Sequence, residues 1–78
     1  MKAKRVTILR MGECVFTEEN VKIHTLDGPN KTTDICINIG SENVYIRDVR
    51  IERILMDQFR FFGYCDKRGL VTLVVWFN

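Results

Sequence analysis

The sequence has a single histidine, His24, and a single serine, Ser41, from which to build a Ser–His catalytic pair. Catalysis by such groups needs a nucleophile, an orienting partner and an oxyanion or metal site held together. Ser41 lies in the turn signal Gly40-Ser41-Glu42-Asn43 with no glycine elbow around it, and His24 falls in the middle of a strand pattern. No hydrolytic triad is expected, and the chain reads as a non-enzyme.

Cysteine is equally sparse. Cys14, Cys36 and Cys65 are odd in number and widely spaced, unlike the dense, even set of a small disulfide scaffold. With His24 they could supply four zinc ligands, but no CxxC or HxxxH spacing announces such a site. The expectation is three reduced packing residues in a cytoplasmic protein, with no metal and no cofactor. Cys65, beside Lys67 and Arg68, is the one thiol with basic neighbours, and no resolving cysteine stands near it.

Long apolar runs are missing too. The longest, Leu73–Phe77, is far short of the ~20 residues that cross a bilayer as a helix. The opening MKAKRVTILRMGE is basic, but Thr7 and Arg10 interrupt its apolar stretch, so it fails as a signal peptide. A membrane partner is therefore not expected. The five glycines are scattered at turn positions rather than gathered in a phosphate-binding loop, and no EF-hand spacing links the carboxylates. Net charge is +2, too mild to require a nucleic acid or an acidic membrane.

What remains is a strongly β-forming chain, 46% apolar and 28% charged, as a folded domain should be. Its length predicts one small domain over 1–78. The clearest signal is FRFFGYC-DKRG-LVTLVVWFN, two aromatic and β-branched runs around a polar loop. This predicts a hairpin with a type I turn over Asp66-Lys67-Arg68 and Gly69 at a positive-φ bulge. Arg5–Arg10 reads as a strand, Met11-Gly12-Glu13 as a turn, and Cys14–Phe16 as a short return. Thr17–Asn20 reads as a loop. Val21–Leu26 and Thr32–Ile39 alternate as strands around the turn Asp27-Gly28-Pro29-Asn30, the second with Ile35, Ile37 and Ile39 on one face. Val44–Ile46 follows the next turn. Arg47–Phe59 fits neither template cleanly; the reading is a long bent strand with a bulge near Arg47-Asp48, and a short helix within 47–59 is the alternative. The whole predicts a mainly β fold: a small antiparallel meander or barrel-like sheet of five to six strands.

The final strand is apolar on both faces, with Leu70, Val74 and Trp76 on one and Val71, Leu73, Val75 and Phe77 on the other. In a half-buried antiparallel strand one face should be polar. The outward face must then meet the 47–59 segment, a second copy or another protein. An interface of Phe62, Tyr64, Val74 and Trp76 with Arg47, Arg50 and Arg53 has the residue types that dominate interface energetics. The first expectation is a small interaction protein, such as an adaptor, regulator or inhibitor of the kind accessory and phage genes encode. It would bind another protein and self-associate as a homodimer through the C-terminal hairpin, whose last strand could pair at an open edge. The alternative is a small barrel that binds single-stranded nucleic acid through Arg60, Phe61, Tyr64, Lys67 and Arg68.

Overall fold

The computed structural model describes residues 1–77 and shows six strands joined in sequence order into a closed barrel. They are β1 (Lys2–Arg10), β2 (Glu13–Asp27), β3 (Thr33–Ile39), β4 (Glu42–Ile54), β5 (Gln58–Cys65) and β6 (Gly69–Trp76). Every ladder is antiparallel, and pairing of β1 with β6 closes the cylinder. An even number of meander strands permits this, since the first and last then run in opposite directions. The only helical element among the described residues is a 3₁₀ turn at Pro29–Lys31, so the helix alternative for 47–59 is not realised.

The interior is built from the alternating positions that the sequence assigns to it. Ile35 and Ile37 of β3 and Val71, Leu73 and Val75 of β6 are buried, together with Val6, Ile8, Val21, Ile23 and Ile46. Ile39 packs against them from the end of β3. The C-terminal hairpin also forms as expected. The Arg68 amide donates to the Cys65 carbonyl at 3.1 Å, and Gly69, at φ +78°, pairs with Cys65. A glycine suits that left-handed position because it has no Cβ to clash.

Three expectations are corrected. Thr17–Asn20 is not a loop but the middle of the 15-residue β2. Thr17, Glu18 and Glu19 continue the ladder opposite Thr7, Val6 and Arg5, and the Thr7 and Thr17 hydroxyls lie 3.2 Å apart. Its polarity reflects an exposed half-strand with a neighbour on one side only. The 47–59 segment is not one bent strand either: β4 ends at Ile54, and Leu55–Asp57 turn the chain into β5. Lastly, β6 has no open edge, because β5 and β1 flank it on both sides. Two copies cannot pair along it.

The outward side of β6 is largely satisfied within the chain. Val74 lies between Thr7 and Arg60 and is fully buried. Beside it, the Arg5 guanidinium stacks over Trp76, 4.1 Å from the ring centroid. Such a contact is worth about 0.5–1 kcal/mol at an exposed site. Arg5→Ala is therefore expected to lower stability by about that amount and to shift the emission of this single tryptophan to the red, which fluorescence during urea titration would check.

Candidate binding face

Arginines at 47, 50 and 53 would point alternately to opposite sides of a regular strand. Here all three point the same way. Arg47 stands opposite Tyr64, Arg50 opposite Phe62, and Arg53 opposite Arg60, with a register shift between each pair of arginines. Residues directly opposite one another in an antiparallel ladder share a face. Two bulges, one at Asp48-Val49 and one at Glu52, thus turn a three-residue repeat into a single row. Asp48 adopts φ +51° at the first of them, a conformation that Asp tolerates better than most side chains.

Gly63 makes the first bulge possible. It stands opposite Asp48 and Val49, and a Cβ there would come within 2.7 Å of Ile46 Cγ2 and 3.0 Å of both the Arg47 carbonyl oxygen and Val49 Cγ1. Asp34 holds the same turn from the other side. Its buried carboxylate accepts the Asp48 amide at 2.9 Å and Arg47 Nη1 at 3.2 Å. Arg47 also reaches Asp66 at 3.7 Å and stacks on Tyr45. Its charge is committed, and it serves as an anchor.

The result is an outer face across β4, β5 and β6. Phe62 and Tyr64 alternate along β5 and are 44% and 48% exposed, and Leu70, opposite Tyr64, is 63% exposed. Along one flank run Arg50 and Arg53, with Arg60 beside them. Among the described residues Arg53 and Arg60 form no ion pair, and Arg50 forms one, with Asp48 at 3.8 Å. Arg60 Nε donates to Gln58 Oε1 at 3.1 Å, which orients it along the face.

The seven residues expected to form an interface therefore share one side of the sheet, with different parts to play. Phe62, Tyr64, Arg50 and Arg53 are exposed, Trp76 is half-covered by Arg5, Arg47 is internally paired, and Val74 supports the face from beneath. The nucleic-acid set divides. Arg60 and Tyr64 lie on this face, but Phe61 points inward opposite Ile51 and Leu73 and packs on the core. Lys67 and Arg68 sit on the β5–β6 turn, where Arg68 lies 5.6 Å above the Phe16 ring at the barrel mouth. The cysteines and His24 are not gathered: no metal-binding group of three or more such side chains occurs among the described residues. His24 and Cys36 face one another across β2 and β3, while Cys65 is in the core.

The sequence put Leu70 on the outward face of the last strand but not among the interface residues, and Asp34 was missed as the brace of that face. The arginine repeat was visible, but its alignment depends on bulges whose second member, at Glu52, has no local signature. The fold and face define a closed six-stranded antiparallel barrel with an arginine–aromatic outer surface. Comparison with protein-family models, curated proteins and solved structures found no match.

Proposed function

We propose that the chain is a non-enzymatic binding module that docks the acidic surface of a different protein through the outer face of β4, β5 and β6. One observation carries this reading: two bulges align Arg50 and Arg53 beside the half-exposed Phe62 and Tyr64. Tyrosine and arginine are over-represented among hot spots, and a patch of this kind offers both apolar area and charge-assisted hydrogen bonds. Pairing the face with a copy of itself would set arginines against arginines, so a heterologous acidic partner suits it better than a homodimer through the C-terminal hairpin. By occupying such a surface the module would act as an adaptor, regulator or inhibitor.

A second reading has its own support. Phe62 and Tyr64 lie about 6.8 Å apart along β5, roughly twice the 3.4 Å rise of a stacked strand. Their rings could each take one base of an extended single strand, with Arg50, Arg53 and Arg60 near the phosphates.

Paired affinity capture with wild type and with Phe62→Ala/Tyr64→Ala separates these readings, alongside titration of a labelled single-stranded oligonucleotide. The expected result is protein prey whose retention falls at least about tenfold with the double variant, given about 2 kcal/mol per hot spot, and an oligonucleotide that does not bind. Equal retention by both baits overturns the assignment of the face. Oligonucleotide affinity that falls steeply with salt and is lost in the double variant replaces the protein partner with nucleic acid.

A further inference from the structure

Closure of the barrel leaves two half-strands with a neighbour on one side only. β2 pairs with β3 from Lys22 onward, so Glu13–Val21 has β1 alone as its partner. β4 pairs with β3 only as far as Ile46, so Val49–Ile54 has β5 alone. Both are accessible: Glu13–Asn20 is exposed except for the half-buried Phe16, and Arg50–Ile54 is exposed throughout. An unpaired strand edge presents a row of amides and carbonyls ready to accept another strand.

The two edges differ in charge. The β2 edge carries Glu13, Glu18 and Glu19 and no basic residue, whereas the β4 edge carries Arg50 and Arg53 with the single carboxylate Glu52. Each also exposes apolar area, at Val15 on β2 (41%) and at Ile51 and Ile54 on β4 (65% and 61%). Both are bent by bulges, beside Val15 on β2 and at Asp48-Val49 and Glu52 on β4. Bulged edges resist pairing with flat strands, which favours a partner that is curved itself.

We infer that the chain assembles head to tail, the basic β4 edge of one copy adding to the acidic β2 edge of the next. A two-fold pairing of β2 with β2 would set carboxylates against carboxylates, and like charges directly opposite are destabilising. A two-fold pairing of β4 with β4 would leave the β2 edge uncovered. The head-to-tail contact covers both edges and opposes unlike charges. Repetition gives a ring where the rotation closes and a filament where it does not. The contact shares Arg50 and Arg53 with the β4–β5–β6 face and leaves its aromatic part, Phe62 and Tyr64, free.

Charge reversal tests it by native mass spectrometry and light scattering. Wild type is expected as species of three or more copies of the 9.2 kDa chain, weakening in high salt. Arg50→Glu/Arg53→Glu and Glu18→Lys/Glu19→Lys, all at exposed positions, are each expected to run as the single chain with an unchanged circular dichroism spectrum. An equimolar mixture of the two variants is expected to reassemble, because each then supplies the edge that the other's complements. A monomeric wild type, a species that stops at the dimer, or assemblies that persist in both charge-reversed variants would each overturn the inference. Phe62→Ala/Tyr64→Ala leaves the assembly intact and Glu18→Lys/Glu19→Lys leaves the β4–β5–β6 face intact, so loss of partner capture and loss of assembly are separate results.

Discussion

Gly63→Ala is expected to lower the melting temperature by about 15 °C. Gly63 is buried at the middle of β5, and the position its Cβ would take is already ringed by Ile46 Cγ2, Val49 Cγ1 and the Arg47 carbonyl oxygen, at 2.7 to 3.0 Å. None of these is the far end of a flexible side chain. Ile46 is fully buried, Val49 packs on the core, and the carbonyl belongs to the bulge. Relief requires the β4 bulge to move outward, which opens the core beside Cys65 and Val71. Overpacking of this kind costs typically 1–3 kcal/mol, and about 3 kcal/mol is expected where backbone must shift. A domain of this length has about 4–12 kcal/mol in total, so a substantial part of its stability is at stake. Thermal unfolding followed by circular dichroism measures it. A melting temperature within a few degrees of wild type would show that the bulge is plastic and that Gly63 is not what permits it.

This bulge marks where sequence reading succeeds and where it stops. The C-terminal hairpin was readable because each of its signals is local: a polar loop, a glycine at the left-handed position, and β-branched or aromatic residues on either side. The isoleucines of β3 were readable from strict alternation. A bulge near Arg47-Asp48 was required because apolar residues changed parity there, and it is present. The fate of Thr17–Asn20 was hidden because polar composition marks exposure, and an exposed half-strand and a loop look alike until the ladder with β1 is seen. The exterior of β6 misled for the opposite reason. Apolar residues signalled a missing cover, but Thr7, Arg60 and the Arg5–Trp76 stack supply most of it from distant strands. The row of arginines combined both difficulties. Its residues are evident in the sequence, yet their common direction depends on two single-residue register shifts and on a carboxylate thirteen residues before the first of them.

That carboxylate carries the second large effect. Asp34→Ala is expected to destabilise the fold by about 2–3 kcal/mol, in line with the loss of charge-assisted hydrogen bonds whose partners stay behind. Asp34 is 4% exposed on β3, and each of its oxygens holds a different donor. Oδ1 accepts the Asp48 amide at the left-handed bulge residue, and Oδ2 accepts Arg47. Without it the bulge amide loses its acceptor where water has little access. Arg47, partly solvated and still near Asp66, recovers some of its loss, which keeps the cost below that of a fully buried pair. Asp34→Asn separates the two bonds. Its carbonyl can still accept from Asp48 while the ion pair is gone, so it is expected to cost about half as much as the alanine substitution. Urea unfolding of the two variants beside wild type measures both steps. An asparagine variant as unstable as the alanine one would make the Arg47 pair the dominant interaction; an alanine variant indistinguishable from wild type would remove Asp34 as the brace of the bulge. The consequence for binding follows from the same geometry. Where the bulge relaxes, the register of β4 on β5 is no longer held at Arg47, and Arg50 is free to slip from its place opposite Phe62. Asp34→Asn should therefore weaken partner capture through the β4–β5–β6 face even at temperatures where the protein remains fully folded, although Asp34 itself is buried and touches no partner.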